Sequence, residues 1–166
     1  MSNIDFDVLQ AFFWSITYLL VIIHGIIYRK SAMPPICIML NFAWETYAII
    51  KDITNSYFSW IHMLWFVLDI VLILTYLILC KKVYFNKLFL IPVYLVTLAT
   101  VFLVSENVKL GMLICCFVID VLMAIEWLLY VILFVKDFNI LLIFICITKL
   151  WGDGFAFCNT KALQLL

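Results

Sequence analysis

The chain has 166 residues, of which 69% are hydrophobic and 12% are charged, and its mean hydropathy is +1.25. Soluble domains are apolar at about half of their positions, so this composition excludes a soluble domain. The formal net charge is zero, and the absence of a basic surplus argues against nucleic acid as a partner.

Six hydrophobic segments are long enough to cross a bilayer, which takes about 20 apolar residues for each helix. They cover approximately residues 9–28, 34–51, 60–80, 86–104, 110–135 and 138–157. Only helices or closed barrels satisfy every backbone group in lipid, so the predicted fold is all-α, a polytopic transmembrane helical bundle of about six spans. Three prolines and four glycines leave no room for a linker, so residues 1–166 are predicted to form a single integral membrane domain.

Local signals refine the ends of these segments. Asp5 and Asp7 precede the first segment where a signal peptide would have basic residues, so this segment is predicted to remain as a helix. Pro34 and Pro35 mark the start of the second segment, where a missing N–H costs nothing. Pro92 falls inside the predicted fourth span and is expected to kink that helix or open its hydrogen-bond ladder.

The basic residues of the loops predict an orientation in the membrane. The loops after spans one, three and five contain Arg29, Lys30, Lys81, Lys82, Lys87 and Lys136. The opposite side contains Lys51, Lys109 and Lys161. This excess of six to three predicts that the first, third and fifth loops are cytoplasmic.

Two acids at membrane depth are the centre of the functional prediction. Glu45 is the single charged residue between Met33 and Ile50, and Asp69 has a similar position in the third span. Carboxyl groups at that depth cost several kcal/mol to bury, so they face the interior of a bundle and usually have a function. Since a short loop joins the two spans, we expect antiparallel neighbours whose carboxyl groups lie within about 10 Å of each other.

Polar and aromatic residues share the helix faces of these acids. Asn41 is four residues before Glu45, so the two side chains lie on one face and can form a hydrogen bond. Trp65 and His62 are four and seven residues before Asp69, again on one face. We therefore predict one cavity lined by these five residues and bordered by Trp44, with His62 nearer its mouth.

The chemistry of such a cavity suits acid catalysis. Two carboxyl groups in a low dielectric cannot both stay ionised without a cation, so at least one is expected to be protonated at neutral pH. A neutral carboxylic acid in a dry pocket is a general acid, and indole faces stabilise developing positive charge. The alternative is structural, because polar side chains in membranes also hydrogen-bond one helix to another.

The other polar residues carry weaker predictions. Asp120 and Glu126 are six residues apart and do not share a helix face, so at least one is expected to pair with Lys149 as a structural ion pair. The six cysteines form no C-x-x-C with a matching histidine pair. Phosphate-binding and hydrolase motifs are missing as well, so we predict no metal site and no cofactor.

Several short motifs occur in an order that resembles one known family. They are Y-R-K at 28–30, M-P at 33–34, N-F-A-W-E at 41–45, W-F-V-L-D at 65–69, D-V-L-M-A at 120–124 and K-L-W-G at 149–152. This order resembles the PaxB-like integral-membrane terpene cyclases of meroterpenoid and indole-diterpene pathways. Members usually have seven spans with a second essential acid in the last. The sequence up to Leu166 therefore resembles a shortened relative that lacks the seventh span.

The resemblance implies an enzyme that protonates an epoxide or alkene of a prenylated, lipophilic substrate and cyclises it through carbocations without a metal. In such families the glutamate of N-x-x-W-E is the essential acid, which here would be Glu45. Asp69 would orient that acid or remove the final proton, and Asn41, Trp44, Trp65 and His62 would contact the substrate. A prenyltransferase and a monooxygenase are the implied pathway partners.

Two other classes of function remain open at this stage. A small proton-coupled transporter could use the same acids as a proton relay, although the repeated halves and broken helices of many transporters are not visible. A non-catalytic accessory membrane protein is the third class.

Overall fold

The computed structural model describes residues 6–56, 59–80, 87–134 and 139–158. In these ranges the chain forms α1 (Phe6–Tyr28), α2 (Pro35–Thr54), α3 (Trp60–Leu79), α4 (Leu90–Asn107), α5 (Gly111–Phe134) and α6 (Ile140–Cys158). No strand occurs among the described residues, so the prediction of an all-α helical membrane bundle is confirmed. By length and apolar composition, α1, α3 and α4 are clear candidate membrane spans.

The second helix occupies the centre of the bundle. It packs against α3, α4 and α5, while α1 packs mainly against α6 and α3. Buried residues follow one another along α2 from Pro35 to Ala48, whereas α3 buries only Asp69, Leu72 and Tyr76 among its described residues. The outer faces of α3, α4 and α5 present large apolar side chains, as lipid-facing surfaces do. The helix that carries Asn41 and Glu45 is thus the one that its neighbours enclose.

Capping groups set the ends of the helices near the site. Pro34 precedes α2 and Pro35 is its first residue, as the sequence indicates. The Ser59 hydroxyl accepts a hydrogen bond from the backbone N–H of His62 and caps α3. The side-chain Oδ1 of Asn139 accepts a hydrogen bond of 2.9 Å from the backbone N–H of Leu142 in the first turn of α6.

The expectation of a kink at Pro92 is wrong. A short 3-10 turn at Lys87–Phe89 comes first, and α4 begins only at Leu90. Pro92 therefore lies in the first turn of α4, where its backbone nitrogen has no intrahelical acceptor to lose. Four of the basic residues used to predict the orientation lie outside the described residues, namely Lys81, Lys82, Lys136 and Lys161. Asp5, which precedes the first predicted span, lies outside them as well.

A close contact between α1 and α6 requires glycine at position 152. A Cβ atom placed there would lie 2.9 Å from Cδ1 of Trp14, whereas one placed at Gly154 would meet no atom within 4 Å. Two further contacts restrict the Trp14 ring, which lies 4.1 Å from the ammonium group of Lys149 and 5.9 Å from the Tyr18 ring.

We expect Gly152→Ala to destabilise the protein by about 1–3 kcal/mol, the usual cost of overpacking a well-packed interface. Gly154→Ala is the matched control on the same helix, and the gain in helix propensity should make it neutral or slightly stabilising. Thermal unfolding of both variants in detergent measures the difference. Equal midpoints for the two variants would contradict the close contact at Trp14.

Candidate functional site

The inward face of α2 carries the amide and the acid that the sequence pattern singled out. Asn41 is 6% exposed and Glu45 is 2% exposed, and the two residues are one helical turn apart. Asp69 on α3 is fully buried, at 0%. Each acid lies about ten residues from the start of its helix, so both side chains are at mid-depth and neither faces lipid.

Asn41 joins three helices through its side-chain amide. The amide nitrogen donates to the hydroxyl of Tyr18 on α1 and, at 2.9 Å, to Oδ2 of Asp69 on α3. Tyr18 is also an electrostatic neighbour of the Asp69 carboxyl group. The amide of Asn41 therefore points to Tyr18 and Asp69 instead of towards Glu45, and it holds the Asp69 carboxyl group in one orientation.

Glu45 lies beside this network with a different environment. Its Oε2 atom is buried and has no hydrogen-bond partner among the described residues. The electrostatic neighbours of its carboxyl group include three other acids, Asp69, Asp120 and Asp52. Asp69 also keeps one buried oxygen, Oδ1, without a partner among the described residues, but its other oxygen is held by Asn41. Each acid of the pair thus has an oxygen available to a bound molecule.

The tryptophans near the acids are partly buried and pack against the hydrophobic core. Trp44 lies next to Tyr47, with the ring centroids 6.0 Å apart. The Trp65 indole N–H donates to the hydroxyl of Ser15 on α1 at 3.3 Å. Both indoles therefore have at least one fixed neighbour that restricts the ring orientation.

His62 lies in the first turn of α3, away from the centre of the network. Its Nδ1 atom is 2.9 Å from Oδ2 of Asp52, and about a third of its side chain is exposed. Seven residues separate His62 from Asp69, which is about 10 Å along a helix axis. The structure brings Asn41, Glu45 and Asp69 together and places His62 near one surface of the bundle.

Tyr18 is the member of the network that the sequence analysis missed. A signal for it exists in the first span, because Trp14, Thr17, Tyr18 and Val21 follow the three-and-four spacing of one buried helix face. A phenol on such a face needs a hydrogen-bond partner. The spacing alone does not identify that partner, which is 23 residues away on another helix.

A second buried polar cluster lies between α1, α5 and α6, centred on Lys149, which is 5% exposed. The ammonium group is 3.0 Å and 3.2 Å from the two carboxylate oxygens of Asp153. It also lies 4.1 Å from the ring centroid of Trp14 and 5.4 Å from that of Trp127.

The expected ion pair of Lys149 with Asp120 or Glu126 does not match these contacts. Its partner is Asp153, which is four residues later and therefore one turn away on the same face of α6. Glu126 instead accepts a contact from the thiol of Cys37 at 3.1 Å. Asp120 interacts electrostatically with Lys149 and Asp153, and it is also a neighbour of Glu45. Asp120 thus lies between the two polar clusters.

Among the described residues, no three His, Cys, Asp or Glu side chains are grouped as a metal ion would require.

Comparison with known proteins gives one match. Residues 5–123 match the family described as Pyr4-like transmembrane terpene cyclases, a region that contains α1 to α4 and the first half of α5. Tyr18, Asn41, Glu45 and Asp69 all lie within the matched region. No curated protein and no solved structure matches the chain.

Proposed function

Because the chain belongs to the family of Pyr4-like transmembrane terpene cyclases, we propose that it cyclises a lipophilic prenylated substrate within the bilayer and that Glu45 supplies the initiating proton. The observation that carries this proposal is the environment of Glu45. Its carboxyl group is almost completely buried, and Oε2 has no partner among the described residues. Its acidic neighbours provide no counter-charge for a carboxylate, which supports a neutral acid that can donate a proton.

The proposed reaction is an isomerisation. The proton of Glu45 passes to the oxygen of a terminal epoxide, or to the terminal carbon of an alkene, and leaves a carbocation at the neighbouring carbon. The π electrons of the next alkenes attack that cation in turn and form the new ring bonds. A final C–H bond loses its proton to a base, so the product has the same mass as the substrate. A positioned general acid accelerates such a proton transfer by about 10²–10⁴-fold.

Asp69 is proposed to position the reacting groups or to accept the final proton. Its hydrogen bond from Asn41, whose amide also donates to Tyr18, supports a fixed orientation of the carboxyl group. Asn41 itself is proposed to contribute to the substrate pocket. Trp44 and Trp65 are proposed to line the path of the carbocation, because an indole ring face attracts a nearby cation. His62 is proposed to act at the mouth of the pocket, consistent with its position in the first turn of α3.

The cellular setting of the proposal follows from the chemistry of the substrate. A prenyltransferase would attach the chain, and an epoxidising monooxygenase would supply the epoxide. The first, third and fifth loops are proposed to be cytoplasmic on the basis of the basic residues described above.

Expression of the chain in a host membrane with a panel of epoxidised prenyl aromatics tests the proposal. We expect cyclic isomers of unchanged mass, detected by liquid chromatography and mass spectrometry, that are missing from membranes without the protein. Recovery of unchanged substrates from the whole panel would contradict the proposal. Ion flux across proteoliposomes that depends on Glu45 and Asp69 without any product would instead indicate a proton-coupled transporter.

A further inference from the structure

The cluster around Lys149 contains one buried hydrogen-bond donor, the indole N–H of Trp127, that no described residue accepts. Trp127 is 5% exposed, and its indole N–H is buried without a partner among the described residues. The ammonium group of Lys149 is already engaged, because it contacts both carboxylate oxygens of Asp153 and lies 4.1 Å from the ring centroid of Trp14. A buried donor without an acceptor costs free energy, so the indole N–H is available to a ligand oxygen.

The charges of the cluster decide which kind of oxygen it can take. The carboxylate of Asp153 neutralises the ammonium group of Lys149, and Asp120 is a further acidic neighbour. An anionic ligand such as a diphosphate would meet two acids and only one cation, so it is disfavoured. A neutral hydroxyl or carbonyl oxygen needs a hydrogen-bond donor in surroundings without net charge, and the indole N–H of Trp127 is such a donor.

The Lys149 cluster and the proposed initiating acid border the same part of the bundle interior. Asp120 is an electrostatic neighbour of Glu45 as well as of Lys149. Glu45 and Lys149 are about ten and nine residues from the starts of α2 and α6. In the predicted six-span bundle consecutive helices alternate in direction, so α2 and α6 run the same way. Both side chains are therefore at similar depth, so one molecule lying across the bundle can reach both.

On the basis of the proposed function, we propose that Trp127, beside the neutralised pair of Lys149 and Asp153, forms the headgroup subsite of the pocket. The indole N–H of Trp127 donates a hydrogen bond to a neutral hydroxyl or carbonyl oxygen on the aromatic end of the prenylated substrate. The prenyl chain then extends towards Glu45. The subsite fixes which end of the substrate meets the acid, because the apolar end of the prenyl chain cannot accept a hydrogen bond from the indole N–H.

Binding of two matched ligands tests the subsite without turnover. The probes are an epoxidised farnesyl phenol and the analogue that lacks only the phenol hydroxyl, each titrated into the Glu45→Gln protein in nanodiscs. We expect the phenol to bind about fivefold more tightly, the usual effect of one hydrogen bond on affinity. Trp127→Phe keeps an aromatic ring and removes the N–H. This variant should therefore bind the phenol and its analogue with about equal affinity.

Trp60→Phe is the control, because Trp60 is 77% exposed on the lipid-facing side of α3 and should leave both affinities unchanged. A preference for the phenol that persists in Trp127→Phe would overturn the headgroup subsite. Equal losses of affinity for both ligands would overturn it as well, since they would indicate packing and not hydrogen bonding. Neither result depends on cyclisation, so failure of the subsite and failure of the proposed reaction can be told apart.

Discussion

Replacing Glu45 by glutamine is expected to reduce cyclisation by at least about 100-fold while the protein stays folded. Glutamine has nearly the same shape as glutamic acid and fits the same buried position, but its amide cannot act as an acid at neutral pH. The lower end of the usual contribution of general acid catalysis sets the size of the expected loss. Product formed per milligram of membrane protein measures the activity, and thermal unfolding in detergent measures the fold.

Glu106→Gln is the matched control for this experiment. Glu106 is at the end of α4, where its carboxylate accepts from Lys51 at 2.7 Å and from the Tyr47 hydroxyl at 3.2 Å. Its side chain is 44% exposed, so the same chemical change occurs outside the buried network. We expect this variant to keep the activity of the unmodified protein. If Glu45→Gln were as active as Glu106→Gln, Glu45 would not be the proton donor.

Replacing Lys149 by methionine is expected to destabilise the bundle by about 2–4 kcal/mol. Methionine keeps the length and apolar stem of lysine but leaves the carboxyl group of Asp153 without its cation. Removing one partner of a buried ion pair usually costs about 3–5 kcal/mol, and the partial exposure of Asp153, 17% of its side chain, lowers that figure. The lost contact with the Trp14 ring adds to the effect. Chemical or thermal unfolding in detergent gives the free-energy difference.

Two further variants separate the ion pair from general packing. Lys149→Met combined with Asp153→Leu removes both charges, so it should recover most of the lost stability. Lys51→Met breaks an exposed pair with Glu106 and should change stability little. The assignment fails if Lys149→Met costs no more than Lys51→Met. It also fails if the double variant is less stable than Lys149→Met alone.

The membrane setting made some positions of the site predictable. An acid at the middle of an apolar segment cannot face lipid, so Glu45 and Asp69 had to point into the bundle wherever the neighbouring helices lay. Asn41 is on the same face of α2 as Glu45, so it had to be near the acids as well. The hydrogen-bond partners of Asn41 depend on which other helices pack against α2, and the helical spacing contains no information on that choice.

Within the part of the chain that the structure describes, the sequence by itself determined the number of helices, their approximate ends and the inward direction of the acids. These properties depend on segment length, hydropathy and the cost of charge in lipid, and each can be read along one helix. Only the tertiary structure decided that Tyr18 completes the network of Asn41 and Asp69, and that Trp14 and Trp127 flank Lys149. The physical reason is that each of these contacts joins separate helices. Packing brings those helices together, while sequence periodicity describes only the faces of a single one.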